Sequence, residues 1–278
     1  MDKAAALFRA SNLIALDYPF DAALASALSI CDEAVIVLGV CYDETRDWVY
    51  ALQGMYGADR VIVREERWEF DRMWQERCWD WAAEMTDAEW LMYHDADEAV
   101  HEDDAPAIRA LMADPAISLI RFPFVHLYAT PCYHAQFPLT HNTRLGRRSA
   151  GYRMRNWCDD AHLNRAACQM VFGPDERNAH SYQGPELAES PGPVLHYGWC
   201  RDARALALSQ AKQHAWYANG GGLEDGRLLD VEPYDFHLVA RLASGAVERY
   251  DGPHPAAMAG WFADHAQSWG RLEDVYDE

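Results

Sequence analysis

Apolar runs and helical stripes alternate along the first 130 residues of the chain. Asn12-Leu13-Ile14-Ala15-Leu16 is a short apolar run, expected as the first strand, and it ends at Asp17-Tyr18-Pro19. Phe20, Leu24, Ala27, Leu28 and Cys31 then recur at helical spacing. Ala34–Val40 is a continuous apolar run of the kind that both faces of a parallel sheet bury. Behind it, Thr45 is placed to cap a helix carrying Trp48, Val49, Leu52 and Tyr56 on one stripe. Arg60–Arg64 reads as a third strand, and Phe70 to Met85 as a longer amphipathic helix. Trp90–His94 is a strand candidate that runs straight into Asp95-Ala96-Asp97-Glu98. Pro106–Met112 reads as helix, and Ile117–Tyr128 as one strand or a pair.

Strand and helix alternating in this way predict βαβ units, a mostly parallel twisted sheet flanked by helices, and a ligand crevice beyond the carboxyl ends of the strands. Three acidic clusters fall at those ends: Asp17, Asp43-Glu44 and Asp95-Asp97-Glu98. From 130 to 195 the periodicity is lost among Arg, Pro, Gly and Asn. Helical spacing returns over Arg201–Tyr217, stops at Gly220-Gly221-Gly222, and reappears near Pro255 to Trp269.

Composition narrows the class of protein. With 278 residues, half of them hydrophobic and 11 of them Trp, the chain can bury a substantial core. No apolar run approaches the ~20 residues that span a bilayer. The stretch Met1–Arg9 is too short and interrupted for a signal peptide. Seven cysteines are scattered without a C-x-x-C pair, as expected of reduced thiols. Together these predict a cytoplasmic protein. A formal net charge of -20 argues against a nucleic-acid surface, because phosphate contacts dominate that binding. Lys3 and Lys212 are the two lysines, so arginine carries almost all the positive charge.

Candidate chemistry concentrates in four places. Asp95 and Asp97, two apart at a strand end, can direct carboxylates at one Mg²⁺ or Mn²⁺, or instead cap the helix that follows. Asp43-Glu44-Thr45 reads either as a contact to a nucleoside or as a turn and helix cap. His196 can supply a nitrogen ligand, or sit as a hydrogen-bonded histidine in an aromatic strand; Arg201 and Lys212 can meet a phosphate. Arg144, Arg147, Arg148, Arg153 and Arg155 suit either a diphosphate or ion pairs with the surplus carboxylates. Asp159 and Asp160 follow as candidate general bases. The P-loop, G-x-G-x-x-G, G-x-S-x-G and H-E-x-x-H motifs are missing.

With these residues in order, the chain resembles the bacterial family 2-like glycosyltransferases. The segments that carry the likeness are Tyr18-Pro19-Phe20, Ser26, Asp32-Glu33, Gly39 with Asp43-Glu44-Thr45, and Trp90-Leu91 with Asp95-Ala96-Asp97-Glu98. His196-Tyr197-Gly198-Trp199, Arg201 and Lys212 complete the set, which covers about residues 10 to 217. The resemblance implies a GT-A fold, a nucleotide-diphosphate sugar donor and Mn²⁺ or Mg²⁺. It places Asp17, Tyr18 and Asp43 near the nucleoside, and Asp95 and Asp97 at the ribose and metal–diphosphate. His196 completes the metal set, and Arg144, Arg201 and Lys212 join the donor-binding residues. The segment Ala15–Pro19 departs from the usual Tyr-Asn of the family, and the loop after the second strand lacks its Asp-Gly-Ser run.

Residues 1–130 are then expected as the nucleotide-sugar-binding α/β half, and 131–278 as the acceptor-side and C-terminal helical region of the same domain. An inverting transfer to a small-molecule or glycan acceptor follows, with Asp159, Asp160 or Glu98 taking the proton. A nucleotide-sugar-binding module without turnover is the rival reading. A sugar nucleotidyltransferase is a weaker one, since residues 10–30 contain no glycine for a phosphate loop.

Overall fold

The computed structural model describes residues 2–67, 74–137, 140–157, 167–175, 177–179, 181–219 and 232–274. Strand and helix alternate first: β1 (Ala4–Ala10), α1 (Phe20–Ile30), β2 (Glu33–Leu38), α2 (Thr45–Tyr56), β3 (Val61–Glu65), α3 (Trp74–Glu84) and β4 (Trp90–Tyr93). Next come β5 (Glu98–Val100), α4 (Ala105–Ala113), β6 (Leu119–Tyr128), β7 (Thr130–Ala135), β8 (His141–Arg147), β9 (Arg153–Trp157) and β10 (Ala167–Phe172). The remainder is β11 (Arg177–Asn178), β12 (Leu187–Glu189), β13 (Val194–Trp199), α5 (Ala203–Asn219), α6 (Leu238–Ala243), β14 (Val247–Arg249) and α7 (Ala259–Asp274).

β3, β2, β1 and β4 lie side by side and parallel, with Leu7 of β1 opposite both Val35 and Tyr93. Their side chains alternate between two cores, as a doubly covered sheet requires. Ala4, Ala6, Phe8, Ala34, Ile36, Trp90 and Met92 face the core that α1, α2 and α4 close. Ala5, Leu7, Val35, Val37, Leu91 and Tyr93 face the other, where Cys78, Trp79 and Ala82 of α3 pack. The α/β class and the mostly parallel sheet are those the sequence predicts. No helix among the described residues is long and apolar enough to cross a membrane.

The first strand is not where the apolar run predicts it. Asn12 and Asp17 both adopt positive φ, 51° and 54°, and the chain from 11 to 17 turns. The strand is Ala4–Ala10, in which three consecutive alanines are fully buried. Small side chains let helices approach both faces of this central strand. Thr45 does not cap α2 either. Its hydroxyl accepts the Ile14 N–H at 3.2 Å, and the Asp43 carboxylate two residues upstream takes the Thr45 N–H at 3.0 Å.

β8 inserts antiparallel between β4 and β6, so the first half's sheet is completed by the second half. Among its described residues, the aperiodic region from 130 to 195 is mostly strand. β6 is long enough to serve two neighbourhoods: Leu119–Pro123 pairs with β8, and Phe124–Tyr128 pairs with β13. Pro123, which lacks an N–H, stands where the strand changes partners. α7 and β13 enclose a third aromatic core containing Tyr197, Trp261 and Trp269.

Candidate functional site

The strand order turns at β1: β2 and β3 lie on one side of it and β4 on the other. In an open α/β sheet the crevice beyond the carboxyl ends opens at such a switch. Asp95-Ala96-Asp97-Glu98 leaves β4 there, beside Arg9 near the end of β1. Arg9 Nη2 lies 3.2 Å from Asp95 Oδ1, and Arg144 Nη2, from β8, lies 3.0 Å from Asp95 Oδ2. Arg144 also donates to Glu98 Oε1. Glu98 Oε2 accepts the Asp95 N–H at 3.3 Å, and the Glu98 N–H donates to the Asp95 carbonyl at 3.2 Å, which closes the tetrad on itself. Beneath it His94 is fully buried, its Nε2–H donating to the Glu98 carbonyl at 2.9 Å.

Charge in this cluster is set by burial opposed by arginine. Burial raises the Asp95 carboxyl, but Arg144 and Arg9 outweigh it and hold it at about 2. Glu98 is pushed up to about 8 by burial, with Asp95 and Asp97 adding to the rise against Arg144. Burial lowers His94 to about 4, helped by Arg144, so the ring is neutral at pH 7.

Asp97 faces β13. Its Oδ2 lies 3.6 Å from His196 Nε2 on β13, and its carbonyl accepts the Tyr197 N–H at 2.7 Å. Gly198 makes the approach feasible: a Cβ there would sit 2.6 Å from both Asp97 Oδ2 and His196 Cε1. The His196 ring is backed by Phe124 and by His126, whose Nδ1 lies 3.3 Å from His196 Nδ1. Burial lowers the pKa of His196 against the pull of Asp97 and Asp95, which favours the neutral ring that ligates.

A carboxylate and a neutral imidazole around a space that a methyl group would fill suit Mg²⁺ or Mn²⁺. Such ions take few protein ligands and complete their shell with substrate phosphate and water. Among the described residues no three His, Cys, Asp or Glu side chains converge as a metal cluster. Of the expected trio, Asp95 is paired with two arginines, while Asp97 and His196 face each other across this space.

No family model matches the sequence, and no curated protein matches it. Solved structures do. Mannosyltransferase PcManGT from Pyrobaculum calidifontis, in complex with GDP-Man and Mn²⁺, is 17% identical, with a TM-score of 0.39, over 54% of this chain and 45% of its own. S. aureus TarS 1-349 is 10% identical, with a TM-score of 0.42, over 70% of this chain and 60% of its own. Glucosyl-3-phosphoglycerate synthase from Mycobacterium tuberculosis, in complex with Mg²⁺ and UDP, is 16% identical, with a TM-score of 0.30, over 46% of this chain and 44% of its own. The chain spans about half the length of the structures it matches, and at these identities the likeness assigns no activity.

Several residues singled out in the sequence turn out to be engaged in holding the fold. Asp17 Oδ2 accepts from the Asp202 N–H at 2.6 Å and lies 2.8 Å from His265 Nε2 on α7. Asp43 takes two backbone N–H groups, those of Ala15 and Thr45. Arg201 is 4% exposed and donates to Gly198 O and Leu16 O, both at 2.9 Å, while its guanidinium lies 4.2 Å from the centre of the Tyr18 ring. Arg148 spends its donors on backbone carbonyls, among them Ala83 O and Ala88 O, while Arg147 serves Ile117 O, Met112 O and, at 2.7 Å, the Asp2 carboxylate. Arg144 is the counter-ion of the tetrad. Glu98 is 1% exposed and closes the tetrad through Asp95. Lys212 lies on α5, and its side chain, like Asp159 and Asp160, lies outside the described residues.

Arg9, His94, His126 and Gly198 are site residues that the sequence reading did not single out for this role. A cavity of about 500 Å³ lies at the carboxyl ends of β2 and β3, lined by Leu38, Gly39, Asp43, Arg46, Glu65 and Arg67.

Proposed function

We propose that this chain is a glycosyltransferase that takes a nucleotide-diphosphate sugar and transfers its sugar, with inversion, to an acceptor hydroxyl. The observation that carries the reading is the Asp97–His196 pair, 3.6 Å apart at the carboxyl end of β4, with Gly198 leaving room between them. Asp97 and His196 would hold the divalent ion, which when bound supplies neutralisation of the charge that develops on the departing nucleotide diphosphate. The cavity beyond β2 and β3 lies within the same row of strand ends and suits the nucleoside.

The residues divide the remaining work. Arg144 and Glu98 fix the turn from which Asp97 projects. Arg9, with a side chain 20% exposed, pairs with Asp95 at the surface of the cluster, where a second phosphate oxygen can reach it. In the transfer the acceptor oxygen bonds the anomeric carbon as that carbon's bond to the diphosphate breaks, and the acceptor proton passes to a carboxylate. Asp159 and Asp160 are the candidates for that base, since Glu98 is enclosed.

A thermal-shift panel of UDP-, GDP-, CMP- and dTDP-sugars with Mn²⁺, followed by donor hydrolysis with and without EDTA, tests this reading. Stabilisation by one donor class and loss of turnover in EDTA support it. Full activity after rigorous metal removal would sink the ion site, and binding without nucleotide release from any acceptor would favour a binding module.

A further inference from the structure

His126 backs the His196 ring, and it is placed to control it. The two residues are direct register partners on the parallel strands β6 and β13, so their side chains leave the sheet on one face. Their Nδ1 atoms are 3.3 Å apart, with the ring planes at 70°. His126 is wedged between Phe124 and Phe137, whose ring centroids lie 4.8 Å and 4.5 Å from its own. Aromatic packing on both flanks fixes the ring and aims Nδ1 at its neighbour.

A hydrogen bond between two Nδ1 atoms holds one proton, which belongs to one ring or the other. If His126 donates, His196 must carry its own proton on Nε2, and the atom facing Asp97 is an N–H. If His126 accepts, His196 carries its proton on Nδ1 and turns the Nε2 lone pair toward Asp97. Only the second arrangement leaves a nitrogen able to ligate.

We propose that His126 is a positioning residue that accepts the Nδ1–H of His196 and thereby fixes the tautomer in which His196 Nε2 can bind a divalent cation beside Asp97. The inference rests on the ion-binding role proposed for Asp97 and His196, and it adds a residue that touches neither cation nor substrate. A ligating histidine depends on such a partner for tautomer and orientation, and loss of the partner costs roughly 10–100-fold in metal affinity.

The test compares His126→Phe, which keeps an aromatic ring between Phe124 and Phe137, with His126→Asn, whose amide oxygen occupies the place of Nδ1. Mn²⁺ affinity is read by electron paramagnetic resonance on the whole chain without nucleotide, beside Asp97→Ala and His196→Ala. His126→Phe is expected to weaken Mn²⁺ about 10–100-fold, and His126→Asn to stay near wild type. Nitrogen-15 spectra of the wild type with Mg²⁺ are expected to show His196 protonated on Nδ1. Wild-type affinity in His126→Phe, while Asp97→Ala and His196→Ala lose the ion, overturns the role of His126 alone. So does a loss in His126→Asn equal to that in His126→Phe, or His196 protonated on Nε2 in the Mg²⁺ state. Unchanged affinity in Asp97→Ala and His196→Ala overturns the ion site and the inference together.

Discussion

Gly198 faces Asp97 so closely that a Cβ at that position would stand 2.6 Å from the Asp97 carboxylate. The same Cβ would meet His196 Cε1 at 2.6 Å, so the glycine exists for the space between two side chains. Gly198→Ala is therefore expected to separate Asp97 from His196 while leaving β13 paired. Displacements near 1 Å in a catalytic arrangement cost about 100-fold. The expected outcome is a loss of that order in kcat/KM, with weakened Mn²⁺ binding and a Tm close to wild type. Unchanged kcat/KM would remove the pair from the site.

Arg144 is buried against two carboxylates, Asp95 and Glu98. Deleting one partner of such a cluster leaves uncompensated charge in a low dielectric and costs about 3–5 kcal/mol. Arg144→Met should lower stability by that order in urea unfolding. Burial already pushes Glu98 up to about 8, so near pH 7 it holds its proton and Asp95 carries the charge that the variant leaves uncompensated. Adding Asp95→Asn should then return part of the loss. A double variant no more stable than Arg144→Met would mean that the pair is not the source of the cost.

What the sequence displays and what it hides follow from the range of the interactions. β2, β3 and β4 are legible because parallel strands covered on both faces read as unbroken apolar runs, and Asp95-x-Asp97 is legible because it ends one of them. β1 is hidden because its outward space is filled by helices. Alanine serves there, and Ala4–Ala10, with Arg9 inside it, resembles no apolar strand. β8 is hidden because its partners, β4 and β6, are set by the topology of the whole sheet rather than by local period. The arginine cluster shows charge in the sequence. Its partners, backbone carbonyls for Arg148, backbone carbonyls and Asp2 for Arg147, and Asp95 and Glu98 for Arg144, are brought in from distant segments. His126 and His196 meet through strand register across 70 positions, which leaves no local signature.

Arg201 separates a phosphate-binding role from a structural one. Its donors already serve Gly198 O, Leu16 O and Ser209 Oγ, and its guanidinium covers Tyr18. Arg201→Met leaves buried carbonyls without a donor, each costing about 1–3 kcal/mol. The variant should lose several degrees of Tm, and by the same amount with and without a donor nucleotide. A fall in donor affinity with Tm preserved would instead place Arg201 on a phosphate.

His265 predicts a stability that declines toward alkaline pH. Its Nε2 lies 2.8 Å from Asp17 Oδ2 and its Nδ1 2.8 Å from the Trp261 carbonyl. Both neighbours are acceptors, so both bonds form only when the ring carries two protons. Burial lowers its pKa, but the hydrogen bond and charge of Asp17 outweigh burial and raise it above the ordinary 6.5. A raised histidine stabilises fully below the unfolded-state value and loses that contribution as pH climbs through the folded-state value. The window therefore opens near 6.5 and extends upward. His265→Gln should cost about 2 kcal/mol at pH 6, and the gap from wild type should narrow as pH rises beyond 7 in urea titrations. A gap that is constant across this range, or that widens with pH, would show that the ring is neutral against Asp17. The tie it makes between α7 and the turn after β1 would then be one of packing against Trp261 and Trp269 alone.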